Sequence, residues 1–221
     1  MIAIILDTET TGLDKPEVIE LACAEFRLDY ALGNISVSRY RPSKPIQWGA
    51  MAIHHILPDE LHQCPSASEV ELPVASYWIG HNIDFDWEVL GKPDVKRIDT
   101  LALARKVWPD LDSHSQSALY YFTQGASKET RYVLRNAHSA VVDITICHEI
   151  LIVLLRSLPP LLNGIQSLWE LSEEARIPTK MHFGKHKGDL IASVPRAYVQ
   201  WYRRQETTDP YLLEAFARAG K

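Results

Sequence analysis

An apolar run at the N-terminus that ends in two alternating acids constrains the fold of this chain most strongly. Residues 2–6 are apolar without interruption, and Asp7 and Glu9 follow directly. A continuous run of this kind is typical of a strand buried on both faces. Because side chains alternate along a strand, Asp7 and Glu9 would project to one face and repel each other unless a cation lies between them. Oxygen ligands favour a hard ion such as Mg²⁺ or Mn²⁺.

The rest of the chain predicts a mixed α/β fold with a small second domain. Strands are expected at 17–28, 34–41, 77–80 and 95–99, and helices at 84–90, 99–107, 139–156 and 165–175. Strands that come first and then alternate with helices indicate a mixed sheet flanked by helices. Prolines 159 and 160, followed by Asn163 and Gly164, interrupt the pattern, so we predict two domains, 1–158 and 165–221.

The charge of the chain is uneven. A net charge of −5 gives no sign of nucleic-acid binding, since proteins that bind phosphates usually carry a basic surplus. The segment 180–205, however, holds six basic residues and one acid, Asp189, so it carries +5 and the remainder −10. Three widely spaced cysteines and an N-terminus without a signal-peptide pattern predict a cytoplasmic protein that does not associate with membranes.

A second polar string, HNIDFD at 81–86, follows a predicted strand and opens a predicted helix. A carboxylate in the first turn of a helix is favoured by the helix dipole. The spacing leaves Asp84 and Asp86 as alternative functional acids. Asn82 could act at a site or could hydrogen-bond the nearby backbone.

A third string, HSAVVD at 138–143, begins the longest predicted helix. Five residues of ideal helix rotate by about 500°, so His138 and Asp143 would diverge by roughly 140° within one helix. The two can act together only if His138 precedes the helix, with Ser139 as its N-cap. Asp143 would then lie on an apolar flank, where a cation would offset the cost of burying it. The alternative is a loop histidine and a partly exposed helical acid.

The three strings DTET, HNIDFD and HSAVVD resemble, in type and order, the motifs DxE, HNxxFD and HxAxxD of the DEDDh 3′→5′ exonucleases. This superfamily includes the polymerase proofreading exonucleases, RNase T and oligoribonuclease. The resemblance covers about residues 1–156, implies an RNase H-like mixed sheet and favours Asp86 over Asp84. The acidic and histidine positions of the family fall on Asp7, Glu9, Asp86, Asp143 and His138.

The resemblance also implies a two-metal hydrolysis of phosphodiesters. The four carboxylates would hold two Mg²⁺ ions about 3.5–4 Å apart, with Mn²⁺ as a substitute. His138 would accept the proton of the attacking water. The residues expected near the terminal nucleotide are Thr10, Thr11, Leu13, His54 and Asn82. For Leu13 the alternative is core packing, and for His54 it is the capping of a turn.

The C-terminal segment is similar to the small module that ends the exonuclease X group within this superfamily. Phe183-Gly184-Lys185-His186-Lys187-Gly188 carries the likeness, with Pro195, Tyr198 and Trp201 after it. The chain departs from the group at Val194, where an acid is usual. The likeness implies an α+β module in which Lys185 and Lys187 contact phosphates of the substrate, with a solvated turn as the alternative.

These observations predict an exodeoxyribonuclease that removes nucleotides from DNA 3′ ends, single- or double-stranded, in DNA repair or degradation. RNA is a second possible substrate, and a homodimer is compatible with the family. The first alternative is a 3′→5′ exoribonuclease. The second is a nucleic-acid-binding module with an inactive exonuclease fold, which the intact acids and His138 argue against.

Overall fold

A five-stranded mixed sheet forms the centre of the computed structural model, which describes residues 2–27, 29–135, 137, 139–161 and 163–221. Within these residues the strand order is β3-β2-β1-β4-β5. The first three strands pair antiparallel, whereas β1, β4 and β5 pair parallel. The strands are β1 (Ala3–Thr10), β2 (Val18–Phe26), β3 (Ser36–Arg39), β4 (Tyr77–Gly80) and β5 (Lys96–Asp99). The predicted mixed sheet flanked by helices is confirmed.

Strand β1 lies at the middle of the sheet and is buried along its apolar half. It continues three residues beyond Asp7, where the apolar run ends, because β2 pairs with it as far as the partners Thr10 and Val18. The register shifts between Glu9 and Thr10. The two acids therefore lie within a paired strand and not in a solvated turn.

Helices flank the sheet and account for most of the other regular secondary structure. They are α1 (Trp48–His54), α2 (Asp84–Val89), α3 (Thr100–Val107), α4 (Gln116–Gln124), α5 (Lys128–Leu134), α6 (Ala140–Ser157), α7 (Ile165–Arg176), α8 (Arg196–Tyr202) and α9 (Pro210–Arg218). Helix α6 is the longest and packs against β1 and β2. None of the helices in the described part of the chain combines the length and the apolar character that crossing a bilayer demands.

The chain divides into two compact units, Met1–Ser172 and Glu173–Lys221. The division falls within α7, whereas the sequence places the boundary at the preceding proline and glycine residues. The predicted domain limits, 1–158 and 165–221, stay predictions. Helix α7 is tied to the first unit by Ser172, whose hydroxyl accepts a hydrogen bond from the backbone N–H of Asp99 at 2.8 Å.

The second unit has its own apolar core and little β-structure. Among its described residues, the β pairing is one antiparallel bridge between Lys180 and Leu190. Helices α8 and α9 contribute most of the buried side chains. The fully or nearly buried members of this core are Met181, Ile191, Val194, Val199, Tyr202, Leu212, Ala215 and Phe216. Val194 is fully buried there, so its apolar side chain is accounted for by packing.

Candidate active site

Three carboxylates converge where β1 meets the first turn of α6. Asp7 and Glu9 project from the same face of β1, and Asp143 lies one turn into α6. One oxygen from each of the three lies within 4.8 Å of the others. All three side chains are partly buried. Residues separated by more than 130 positions in the sequence thus form one acidic cluster, which we call the carboxylate cluster.

Asp86 approaches the same strand from α2. Its side chain is 5% exposed. Its Oδ1 atom accepts hydrogen bonds from the backbone N–H of Thr8 at 2.9 Å and from the Thr8 hydroxyl at 2.6 Å. Asp84, the alternative acid, forms an ion pair with Arg97 instead. The structure therefore directs Asp86, and not Asp84, toward the strand that carries the carboxylate cluster.

Burial and mutual repulsion shift the titration of these acids in one direction. Burial, and then the charges of Asp86 and Asp143, raise the pKa of Asp7 well above its ordinary value. Burial and the Asp143 charge raise the pKa of Glu9 to about 8. Burial raises the pKa of Asp86 to about 7, although the bonds from Thr8 oppose the shift. Such shifts mark a place where negative charge lacks compensation.

The donor set fits a hard divalent cation. Carboxylate oxygens are the ligands that Mg²⁺ and Mn²⁺ prefer, and the spacing within the carboxylate cluster allows one ion to contact all three side chains. A bound cation would also reverse the repulsion that raises the pKa values of Asp7 and Glu9.

Glu20 is a further acid at this site, and it lies outside the three sequence motifs. It is 2% exposed, and its charge contributes to the raised pKa of both Asp7 and Glu9, behind burial. One oxygen accepts from the backbone N–H of Ala140 at 3.2 Å, and the other pairs with Arg39 Nε at 2.7 Å. The available signal was an acid inside the otherwise apolar strand Val18–Phe26.

Gln116 is the second residue that sequence reasoning missed. Its side-chain amide donates to the backbone carbonyl of Asp143 at 2.8 Å and to the Asp143 carboxylate at 3.3 Å. It therefore orients one member of the carboxylate cluster. No pattern in the sequence indicates this contact, because Gln116 begins a separate helix.

The predicted base, His138, lies outside the described residues. Helix α6 begins directly after Ser139, as the motif argument requires. Ser139 occupies the N-cap position, but its side chain makes no capping hydrogen bond, so the expected cap is wrong in that detail. Its backbone carbonyl accepts the N–H of Asp143 at 3.0 Å.

The threonines after Glu9 shape the turn that ends β1. Thr10 and Thr11 are buried. The Thr10 hydroxyl donates to the carbonyl of Gly12 at 3.0 Å, and the Thr11 hydroxyl accepts from the N–H of Glu17 at 3.0 Å. Their side chains thus stabilise the loop on which Leu13 lies, and Leu13 is 83% exposed. This exposure excludes the alternative that Leu13 packs in the core.

His54 and Asn82 occupy contrasting environments. His54 is 7% exposed, burial lowers its pKa, and its Nδ1 atom accepts from the N–H of Ile56 at 3.0 Å. The bond from Ile56 makes His54 a cap of the turn after α1, which is the alternative role, and a backbone hydrogen bond with Thr10 opposes the pKa shift. Asn82 is exposed with φ of 66°, and its backbone N–H donates to Asp99 Oδ1 at 2.9 Å. Asparagine tolerates this left-handed conformation better than most residues.

Lys185 and Lys187 lie in the second compact unit, and both are exposed. Lys185 Nζ is 5.7 Å from the centroid of the Tyr198 ring. The structure describes their environment within that unit, and their predicted role in substrate binding stays a prediction.

The strand order and the carboxylate cluster define a nuclease of the RNase H-like, DnaQ type. A model of the exonuclease family RNase_T matches residues 4–151, and the chain belongs to this family of DEDD 3′→5′ exonucleases. Members of the family use divalent metal ions, in agreement with the donor set. A second family, described as "Putative quorum-sensing-regulated virulence factor", matches residues 171–212.

Individual relatives and a solved structure extend the comparison. The chain is 29% identical to exodeoxyribonuclease 10 of Escherichia coli K12 over 205 residues, which cover 89% of this chain and 88% of that protein. It is 28% identical to the epsilon subunit of DNA polymerase III from Treponema pallidum, over 65% of this chain and 72% of that one. A structure of exonuclease X in complex with 5′ overhanging duplex DNA superposes with a TM-score of 0.63 and 27% identity, covering 76% of this chain and 99% of that one.

Proposed function

We propose that this exonuclease is a metal-dependent exodeoxyribonuclease that removes nucleotides from DNA 3′ ends. The observation that carries the proposal is the carboxylate cluster, in which Asp7, Glu9 and Asp143 place oxygens within 4.8 Å of one another. Support for DNA as the substrate comes from the names of the relatives, an exodeoxyribonuclease and an exonuclease bound to DNA.

In this proposal, Asp7, Glu9, Asp86 and Asp143 hold a pair of Mg²⁺ ions, for which Mn²⁺ can substitute. When bound, such ions lower the pKa of the attacking water and stabilise the charge that develops on the phosphate and on the leaving 3′ oxygen. Four carboxylates without cations would repel a phosphate, so metal binding must precede or accompany substrate binding.

The chain's own residues orient the ligands and move the proton. Thr8 fixes Asp86 through two hydrogen bonds, and Gln116 fixes Asp143. His138 accepts the proton of the attacking water, a role suited to a side chain whose ordinary pKa is near neutrality. Orientation of this kind keeps the reacting groups within the small tolerance that hydrolysis demands.

The exposed loop after β1 contributes to substrate binding in this proposal. Leu13 packs against the terminal base, while Thr10 and Thr11 stabilise the loop through the hydrogen bonds of their hydroxyl groups. His54 is buried and supports this loop through its contact with the Thr10 backbone, and Asn82 presents an exposed amide. Lys185 and Lys187 supply phosphate contacts from the second unit. A role in DNA repair, a cytoplasmic location and a homodimer stay predictions.

Digestion of matched DNA and RNA oligomers of the same sequence tests the proposal. With Mg²⁺, DNA should shorten from its 3′ end, and EDTA should abolish the reaction. Asp7→Asn should lose activity by several orders of magnitude, whereas the control Asp14→Asn, an exposed acid beyond the turn, should retain it. Preferential digestion of RNA would replace the DNA assignment with an exoribonuclease. A fully active Asp7→Asn variant would refute the metal-centre assignment.

A further inference from the structure

The second compact unit carries an exposed cleft with an aromatic wall. The cleft has a volume of about 500 Å³ and is lined by Gly184, Lys185, Ala197, Tyr198 and Trp201. Trp201 is 51% exposed, and its ring centroid lies 5.1 Å from that of Tyr198. The two rings are inclined at 41° and Tyr198 is partly buried, so the exposed Trp201 ring is the face on which another planar group can stack. We call this feature the aromatic cleft.

The position of Tyr198 is fixed by its surroundings. Gly184 has φ of 66°, and a Cβ atom there would lie 2.8 Å from the Tyr198 hydroxyl oxygen, so the loop passes directly over this side chain. The ring of His186 contacts Tyr198 edge-on, with centroids 4.7 Å apart. Tyr198 also packs against the apolar core of the unit. A ring held this firmly loses little conformational freedom when a ligand binds.

One positive charge, that of Lys185, lies in the aromatic cleft itself. Lys185 Nζ lies 5.7 Å from the Tyr198 ring centroid, so an ammonium group and a ring occupy one cleft. Lys187 and Arg204 are exposed nearby in the sequence, and no carboxylate pairs with them among the described residues. The acid of this segment, Asp189, is engaged by His186 at 2.9 Å.

We propose that the aromatic cleft binds single-stranded DNA through a base stacked on Trp201, beside Tyr198, and a phosphate held by Lys185. Aromatic surfaces beside basic side chains bind single strands without sequence preference, because every base has a flat face and every nucleotide a phosphate. The inference rests on the proposed function, since it takes nucleic acid as the substrate of the chain.

Binding of a fluorescent oligothymidylate to the full-length chain in EDTA at low salt tests this inference. EDTA removes the cations that would attract phosphate to the first unit, and the variants below assign the remaining binding to the aromatic cleft. Trp201→Ala should weaken the affinity at least about fivefold, as expected for the loss of one base stack. Lys185→Ala should weaken it and reduce its salt dependence. Gln200→Ala, which truncates an exposed neighbour on the same helix, is the matched control and should bind as the original chain does.

One further variant and one further DNA ligand keep the result unambiguous. Trp201→Phe retains a ring and should recover most of the affinity that Trp201→Ala loses, while thermal unfolding confirms that each variant is folded. A blunt duplex of the same length, whose bases are already stacked, should bind more weakly than the single strand. The inference is overturned if the original chain does not bind in EDTA, if Trp201→Ala and Lys185→Ala both bind normally, or if the duplex binds equally well.

Hydrolysis of thymidine 5′-monophosphate p-nitrophenyl ester with Mg²⁺ separates this inference from the proposed function. The ester is too small to need a second site, so Trp201→Ala should hydrolyse it at the original rate. If the original chain does not hydrolyse the ester, the proposed function is refuted. Loss of the Trp201 effect on binding would refute the aromatic cleft alone.

Discussion

Single carboxylates in this protein lie in surroundings that favour their neutral form. The causes are burial and the charges of the neighbouring acids, which raise the pKa of Asp7, Glu9 and Asp86. A group that serves as a metal ligand must be ionised, so folding and metal binding make opposite demands on the same atoms. Two predictions at the scale of the residue follow from this opposition.

Glu9→Gln should stabilise the metal-free protein while abolishing hydrolysis. The amide keeps the shape of the side chain but removes one of the repelling charges, so above about pH 8 we expect a gain of about 1–2 kcal/mol in the free energy of unfolding in EDTA. Denaturant unfolding measures the change. Glu17→Gln is the control: burial raises the pKa of Glu17, but its bonds to Ser43 outweigh burial and lower it, so the variant should gain no stability.

The stability of the metal-free chain should fall as the pH rises from about 5 to 8. In this range, Glu9 keeps its proton in the folded state up to a pKa of about 8, whereas in the unfolded state it ionises near 4.5. Asp86, with a folded pKa of about 7, acts in the same direction. The folded state then binds more protons than the unfolded state, so the free energy of unfolding decreases with pH.

Thermal unfolding at several pH values, in EDTA and in Mg²⁺, measures this dependence. The stabilisation by Mg²⁺ should grow over the same range, because the ligands must lose their protons before they bind it. A melting temperature in EDTA that increases from pH 5 to 8 would contradict the assignment of raised pKa values.

At the residue scale, the sequence predicted the acids but not their supports. Asp7, Glu9, Asp86 and Asp143 belong to strings that have a recognisable order. Glu20 and Gln116 reach the site through pairings between distant elements, and such contacts leave no local pattern. The choice between Asp84 and Asp86 needed the family resemblance, and the structure supplies the physical reason in the ion pair between Asp84 and Arg97.

At the scale of the secondary-structure element, the turn after β1 connects the carboxylate cluster to the loop that carries Leu13. Gly12 has φ of 145°, and a Cβ atom there would lie 2.2 Å from the Gln47 side-chain oxygen. The backbone N–H of Gln47 donates to the carbonyl of Thr11 at 2.8 Å, so the turn and the start of α1 are held together.

Gly12→Ala should therefore impair substrate binding more than it impairs folding in general. A left-handed φ costs an alanine about 1–3 kcal/mol, and the displaced Gln47 would disturb the loop as well. Gly91→Ala is the matched control, since Gly91 has φ of 84° and open space around it. Comparison of KM for DNA and of denaturant unfolding separates the two effects. Equal KM values in the two variants would show that the turn does not position substrate.

Trp48 is a large exposed side chain at the first position of α1. It is 84% exposed, and the preceding residue is bonded to the turn that carries Leu13. We expect Trp48→Ala to raise KM for DNA about fivefold by removing a surface on which a base can stack, with little change in stability. Val74→Ala, at an equally exposed apolar residue, should leave KM unchanged. A Trp48→Ala variant with the original KM would exclude this role.

The elements that were predicted correctly have strong local signals. The run at β1 and the Asp99 cap of α3 are examples, and the Asp99 side chain does accept from the N–H of Leu101. The sequence does not predict the short helices α1, α4, α5, α8 and α9, because seven to nine residues give little periodicity. Ser115 and Ser127, which cap α4 and α5, were the available signals.

At the scale of the whole molecule, the two compact units can be tested separately. A chain that ends at Arg176 keeps α7 and its bond from Asp99 to Ser172. We expect this truncated chain to fold and to hydrolyse the nitrophenyl ester with Mg²⁺ at close to the original rate. Its affinity for single strands in EDTA should fall at least as far as that of Trp201→Ala. An inactive but folded truncated chain would show that the second unit contributes to catalysis.

The sequence does not predict that the division between the two units falls within α7. Proline and glycine residues at 159–164 indicate an interruption, and they do precede α7. Most of α7 belongs to the first unit because its side chains form hydrogen bonds with residues that are distant in the sequence. Gln166 accepts from the Tyr77 hydroxyl at 2.7 Å and from Lys96 Nζ at 2.6 Å, and both partners lie on the sheet.

The contacts of Glu20 connect the edge strand β3 to the surroundings of the carboxylate cluster. Arg39, on the edge strand β3, neutralises a carboxylate whose other oxygen anchors the first turn of α6. A substitution at Arg39 would therefore leave the Glu20 charge unpaired beside the carboxylate cluster without altering any member of the cluster. Variants at Arg39 should therefore be assayed for metal affinity as well as for folding, since the loss of this distant arginine would change the charge next to the carboxylates through Glu20.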